Sequence, residues 1–161
     1  MRFALLACIH ANLPAMEAVL RDAQQMQCET MLCLGDIVGY YDHPKECLDR
    51  VRTHCQASVK GNHDEYCSAS YPLSDFNPRA VEAIEWTRGE LSPSDQVWLR
   101  QLPYVVNTGD FTIVHASLDA PERWEYIFDR LAAASHFTRQ SNRWRTTWTE
   151  ALRFTLDGAS Q

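Results

Sequence analysis

Three short apolar runs alternate with two helix-length segments at the start of this chain, and each run stops at a turn that carries chemistry. Residues 3–7 lead into Cys8-Ile9-His10, residues 30–34 into Gly35-Asp36-Ile37-Val38-Gly39, and residues 57–59 into Gly61-Asn62-His63-Asp64. A run that is apolar at successive positions reads as a strand covered on both faces, the pattern of a parallel sheet. Between the runs, Asn12 and Pro14 open a helix with the apolar stripe Met16, Val19, Leu20, Ala23 and Met26. Pro44 opens a second helix through about Arg52, with Cys47, Leu48 and Val51 turned inward. The order strand–helix–strand–helix–strand leaves few topologies: a parallel sheet joined by right-handed crossovers. In such a sheet ligands bind beyond the carboxyl ends of the strands, so the separate turns are expected to meet in space.

The middle of the chain changes character. Residues 67–78 read as a surface loop, and 78–91 and 93–102 as two helices parted by Ser92-Pro93-Ser94-Asp95. Residues 104–106 and 111–114 read as a hairpin that turns at Asn107-Thr108-Gly109-Asp110 and ends in a fourth cluster, Val114-His115-Ala116. The pairing thus passes from parallel to antiparallel. A helix is expected over 124–134, with His136 at its end. At 161 residues the chain is one domain by length and long enough to bury a core. The expected division is a domain over 1–138 and an atypical tail over 139–161, where Arg139, Arg143, Arg145 and Arg153 crowd together with Trp144 and Trp148.

A net charge of −6 argues against a nucleic-acid or membrane-surface binder, the tail's arginines notwithstanding. It does not exclude phosphate substrates, because bound cations reverse the local field of an acidic site. Six cysteines without a Cys-x-x-Cys pair read as free, largely buried thiols of a reducing compartment. The apolar stretch before Cys8 is shorter than the ~7–15-residue core of a signal peptide. No run approaches the ~20 apolar residues of a membrane span. The expected location is the cytoplasm.

The residue types at the turns suit a metal centre that handles phosphate. Asp36 is the natural bridging ligand, His10 and His115 offer imidazole nitrogen, and Asn62 offers an amide oxygen. This mixed nitrogen and oxygen set favours Mn, Fe or Zn over Mg or Ca. One or two such cations, a pair standing about 3.5–4 Å apart, would polarise a phosphoryl group and generate a hydroxide nucleophile. His63, next to a ligand, suits transition-state stabilisation or protonation of a leaving oxygen, with Asp64 orienting it. His43, His54 and His136 fall at helix ends, where structural roles suffice. Trp86, Trp98 and Trp124 are expected as core or loop anchors.

Taken in order, Gly35-Asp36 with Gly39-Tyr40, then Gly61-Asn62-His63-Asp64, then Val114-His115 strongly resemble the calcineurin-like metallophosphoesterase superfamily, nearest its small bacterial and archaeal phosphodiesterase branch. The likeness runs from Met1 to about Gln140 and takes in Asn12-Leu13-Pro14-Ala15, Pro44-Lys45-Glu46 and Trp124-Glu125-Tyr126. It implies a four-layer α/β/β/α sandwich with mixed sheets and a dinuclear site that hydrolyses phosphate mono- or diesters. By position it assigns His10 and Asp36 to the first metal, Asp36, Asn62 and His115 to the second, and His63 as the catalytic histidine.

The sequence also departs from that pattern. Cys8 stands where the family has Asp, Ala11 and Ala116 stand where it usually has Gly, and no Gly-His-x-His follows His115. The second sheet is therefore expected to be incomplete, and an uncovered sheet edge offers a route to homo-oligomers. The last ~20 residues lack alternating strands and read as a diverged tail or as sequence translated in another frame. Cys8 either ligates as a thiolate, favouring zinc over manganese, or is a small buried residue. Two functions stand. The leading one is a metal-dependent phosphoesterase of small phosphate esters, diesters foremost, with an impaired or lost activity. The other is a non-catalytic member of the same fold that binds a metal, a phosphate ligand or a protein partner.

Overall fold

The structure is a computed structural model and describes residues 1–74, 76–109 and 111–141. Strand β1 (Phe3–Leu6), helix α1 (Leu13–Gln25), β2 (Thr30–Cys33), α2 (Pro44–His54) and β3 (Ala57–Ser58) form the expected crossover unit. The strands lie in the order β1-β2-β3, all parallel, with Phe3 opposite Thr30 and Leu6 opposite Cys33. Asn12 caps α1 by accepting a hydrogen bond from the Ala15 N–H at 3.2 Å, with proline in the first turn, where its missing N–H costs nothing. Next come α3 (Asn62–Ser68), α4 (Pro78–Glu90) and α5 (Pro93–Gln101), then the antiparallel pair β4 (Val105–Asn107) and β5 (Thr112–Val114). A 3-10 turn over Pro121–Arg123 and α6 (Arg130–Ser141) follow.

Alternation along the strands divides the interior into two cores. On one face of the parallel sheet, Leu6 and Cys33 pack with Ile37, Val38, Leu48, Val51, Ile84 and Leu99 from the loops and helices. On the other, Leu32 packs with Val59 and Ile113, and Phe3, Leu34, Val106 and Phe111 close around them. Phe3 meets Phe111 edge to face at 5.0 Å, which fastens the parallel sheet to the hairpin. The molecule is thus a mixed α/β sandwich with two sheets, and among the described residues the second sheet has two strands.

Several expectations need correction. Leu5 lies on the Phe3 face of β1 but is 49% exposed, because the hairpin covers the Phe3 end of that face and not Leu5. In α1 the buried residues are Met16, Leu20 and Ala23, whereas Val19 and Met26 are exposed. At about 100° per residue those two fall together on one shoulder of the stripe. The segment read as a loop from 67 begins inside a helix, since α3 runs to Ser68. The helix expected over 124–134 begins only at Arg130: Trp124 adopts a left-handed φ of 57°, and Asp129 Oδ1 accepts from the Ala132 N–H at 2.7 Å, the mark of a helix start. His136 consequently sits inside α6, with Nδ1 3.3 Å from Asp119 Oδ2, rather than at a helix end. Trp86 is exposed and anchors no core, while Trp98 packs against the helix-side core and carries the Arg52 guanidinium 4.7 Å from its ring centre.

The cysteines are unpaired: Cys33, Cys47 and Cys67 are buried, Cys28 and Cys55 half-buried, and Cys8 exposed. No helix among the described residues is long and apolar enough to cross a membrane. The boundary expected between 138 and 139 falls within α6, and Arg143, Trp144, Arg145, Trp148 and Arg153 lie outside the described residues.

Candidate metal centre

The centre is built by three loops that leave the carboxyl ends of β1, β2 and β3 and are laced together by backbone bonds. The N–H of His10 donates to Asp36 O at 2.8 Å and that of Ala11 to Ile37 O at 2.8 Å, while Cys8 N–H reaches Gly35 O at 3.2 Å. Cys8, His10, Ala11 and Asp36 all hold left-handed φ values, 52°, 51°, 63° and 56°. Each such residue costs roughly 1–2 kcal/mol, so the surrounding bonds must over-determine the conformation. Gly35 shows how tightly the loops approach: a Cβ there would stand 2.5 Å from the Gly61 nitrogen.

Asp64 supplies much of that determination. It is fully buried. Its Oδ2 accepts from the Asp36 N–H at 2.8 Å and the Gly61 N–H at 2.9 Å, and its Oδ1 from Ile37 at 2.8 Å and Val38 at 3.2 Å. Burial and the neighbouring Asp36 carboxylate push its carboxyl up to about 7, against the pull of these backbone donors. Both oxygens are spent on the loops, so Asp64 does not orient the His63 ring as expected from the sequence. It holds the loop that carries Asp36.

Asp36 is where the clusters converge. Its Oδ2 lies 3.5 Å from His10 Nε2 and 3.4 Å from His115 Nε2, and its Oδ1 accepts the His63 backbone N–H at 2.9 Å. The opposite nitrogens of the two rings face backbone carbonyls: His115 Nδ1 is 2.7 Å from Leu34 O, and His10 Nδ1 is 3.3 Å from Val38 O. A proton on each Nδ1 suits those carbonyls and leaves both Nε2 lone pairs aimed at one carboxylate oxygen. Three acceptors facing one another require a proton or a cation between them. Burial alone would raise the Asp36 carboxyl, but the bond to His115 and the fields of His115, His63 and His10 outweigh it and hold the group below the ordinary carboxylate range. For His115, burial disfavours the charged ring, yet the Asp36 bond and charge, with the Leu34 carbonyl, shift it upward on balance.

The other candidates stand around this core. Cys8, His10 and Asp36 offer ligand atoms that lie within 4.8 Å of one another. Cys8 is exposed, so the reading of it as a small buried residue fails. Partial burial and the charges of Asp36 and Asp64 push its thiol up. Asn62 opens α3 one residue before the His63 N–H that bonds Asp36. The His63 ring is 5% exposed and lies 4.8 Å from His10, 4.6 Å from Tyr40 and 6.2 Å from Phe76. Its Nδ1 is buried without a hydrogen-bond partner among the described residues and faces Gly39, where a Cβ would stand 2.6 Å away. Burial lowers its basicity, Asp36 opposes this, and the neighbouring His10 and His115 add to it.

Two aromatic neighbours received no role in the sequence reading. Tyr40 packs on His10 at 5.0 Å as well as on His63. Tyr126 donates its hydroxyl to Asn62 Oδ1 at 3.1 Å, from 64 positions away. Burial and the charges of Asp36 and Cys8 raise that phenol, which keeps the hydroxyl a donor. Both tyrosines belong to segments that carry the family resemblance. Their contacts depend on folding across the sheet edge, and only the adjacency of Tyr40 to Gly39 signalled one of them.

The donor set fits divalent transition metals. Cys8, His10 and Asp36 mix sulfur, nitrogen and oxygen, and Asp36, Asn62 and His115 mix nitrogen and oxygen.

Comparison with known proteins agrees with this chemistry. The sequence profile described as calcineurin-like phosphoesterase matches residues 1–149. An uncharacterized protein of Methanocaldococcus jannaschii is 36% identical over 129 residues, which are 78% of this chain and 53% of that protein. A metallophosphoesterase from Sphaerobacter thermophilus superposes with a TM-score of 0.74 at 42% identity, over 86% of this chain and 56% of that one. A hypothetical protein from Pyrococcus horikoshii OT3 shares the fold, with a TM-score of 0.68 at 23% identity over 84% of this chain and 62% of that one. This chain therefore spans between half and two thirds of the length of these relatives.

Proposed function

We propose that this chain, which belongs to the calcineurin-like phosphoesterase family, hydrolyses phosphate esters, diesters foremost, at a divalent-metal centre gathered on Asp36. The observation that carries the reading is the pair of Nε2 atoms, from His10 and His115, aimed at one Asp36 oxygen at 3.5 and 3.4 Å. Cys8, His10 and Asp36 would hold one cation, and Asp36, Asn62 and His115 a second. A bound Mn, Fe or Zn supplies positive charge to polarise the phosphoryl group and a water of lowered pKa. The ring of His63, next to Asn62, is the group suited to a developing charge on phosphate or to a leaving oxygen. Asp64 acts through the loops, by keeping the Asp36 main chain in its left-handed turn. The net charge of −6 leaves a small phosphate ester open as substrate because bound cations reverse the local field, and the unpaired cysteines accord with the cytoplasm as location.

The test is elemental analysis and hydrolysis of an aryl phosphodiester with added Mn, on one preparation. At least one equivalent of metal and Mn-dependent turnover are expected. Asp36→Asn should abolish metal retention and lower turnover by at least about 100-fold, the scale of losing a main electrostatic element. A wild-type protein with neither metal nor turnover would overturn the proposal. One observation favours a second reading, a metal- or phosphate-binding protein without catalysis: Cys8 places a thiol beside His10 and Asp36, where the family has a carboxylate. Cys8→Asp decides between them. Increased turnover supports the enzyme, whereas bound metal with no turnover in either form supports the binding protein.

A further inference from the structure

Residues 124–128 form a strap across the side of the centre assigned to the second metal. Trp124, in its left-handed turn, sets its ring 6.0 Å from His115 and 5.6 Å from Tyr104. Two residues on, the Tyr126 hydroxyl rests on Asn62 Oδ1 at 3.1 Å, while the residue as a whole is 54% exposed. The strap therefore touches two ligands proposed for the same cation, and it brings a hydroxyl donor to the centre on an exposed residue.

We propose that Tyr126 is a substrate-contacting residue whose hydroxyl rests on the Asn62 amide oxygen and passes to a phosphoryl oxygen when a phosphate group binds. The inference rests on the phosphoesterase reading above. The amide oxygen has two lone pairs, so it can serve the cation and the phenol together. A cation draws electron density from that oxygen and weakens it as an acceptor. A phosphate oxygen is ionised, and hydrogen bonds to ionised acceptors are roughly twice as strong as neutral ones. A phosphate group held at the centre therefore competes well for the hydroxyl. An exposed ring can follow it without leaving a buried site.

The experiment titrates the full chain with Mn and then titrates the Mn-loaded chain with inorganic phosphate, both by calorimetry. Tyr126→Phe keeps the ring and removes the donor. Its phosphate affinity should fall about tenfold, the scale of one hydrogen bond to a charged group, while its Mn affinity stays within about twofold. Tyr41→Phe, at an exposed neighbour whose side chain makes no hydrogen bond or ring contact with the centre among the described residues, should leave both affinities unchanged. Phosphate affinity unchanged in Tyr126→Phe would overturn the inference and leave the phosphoesterase reading standing. A parallel tenfold loss of Mn affinity would also overturn it, because Tyr126 would then act by holding Asn62. A wild-type chain that takes up neither Mn nor Zn would sink both.

Discussion

Asp36 and Asp64 are the same residue type 28 positions apart, hydrogen-bonded through the Asp36 N–H, and their surroundings give them different work. Asp36 turns Oδ2 toward two imidazoles, whereas Asp64 accepts from backbone N–H groups with both oxygens. Asp64→Asn would set an NH2 group against two of those donors. The expected loss is about 2–6 kcal/mol, from two buried donors left unsatisfied at about 1–3 kcal/mol each. Urea unfolding measures it, and metal content should fall with it because the Asp36 turn is no longer held. Gly39 makes a narrower point. Its φ of 106° and its approach to His63 leave no room for a methyl group. Gly39→Ala should displace the His63 ring, lowering turnover of an aryl phosphodiester by about tenfold or more while bound metal is retained. Loss of metal in that variant would show that the turn, rather than the ring, had failed.

Helix α5 illustrates how an element can be tied at its start. Ser92 and Asp95 form a capping box, with Asp95 N–H donating to Ser92 Oγ at 3.2 Å and Ser92 N–H to Asp95 Oδ2 at 3.3 Å. The same carboxylate pairs with Arg52 of α2 at 2.9 Å, and that guanidinium lies over Trp98. Desolvation would raise the Asp95 carboxyl, but the bonds from Ser92 and Arg52 outweigh it and hold it below its ordinary value. A carboxyl lowered in the folded state adds stability above its unfolded pKa, about 3.9, and that stability is lost as pH falls through the folded value. Asp95→Asn should therefore lower the stability measured by urea unfolding at pH 7, by the ~0.2–1 kcal/mol of a partly exposed ion pair. The difference from wild type should shrink as pH falls through the lowered folded value. An equal difference at pH 7 and in acid would mean that charge plays no part.

At the scale of the molecule, Lys60 joins parts that sequence separates. Its Nζ is 2.7 Å from Glu65 Oε2 of α3, donates to Arg100 O of α5 at 2.9 Å, and lies 4.9 Å from the Tyr104 ring centre. Its backbone N–H donates to Pro103 O at 2.8 Å, just before the hairpin. Both side chains of the ion pair are largely buried. Lys60→Met strands the Glu65 carboxylate and should cost about 3–5 kcal/mol by urea unfolding, much of it recovered by Glu65→Leu in the same chain. The opposite case is Leu5, exposed where the hairpin stops covering the Phe3 face of β1. Leu5→Lys should change stability by less than about 0.5 kcal/mol. The sequence leads to an expected homo-oligomer through an uncovered sheet edge, and β1 is an edge of the parallel sheet; if copies pair there, sedimentation should show association in wild type that the lysine removes.

The sequence by itself determined the crossover unit, the hairpin and the strand-end positions of His10, Asp36, Asn62 and His115. These follow from local causes: apolar runs of strand length, prolines and caps at helix starts, and the rule that such turns gather at one edge of a parallel sheet. Only the tertiary structure decided which side chains touch. Asp64 bonds backbone rather than His63, Tyr126 reaches Asn62, Leu5 stays exposed on a strand that reads as buried, and the last helix starts at Arg130 instead of 124. Each of these depends on a neighbour far along the chain, or on a partner surface that no local pattern encodes.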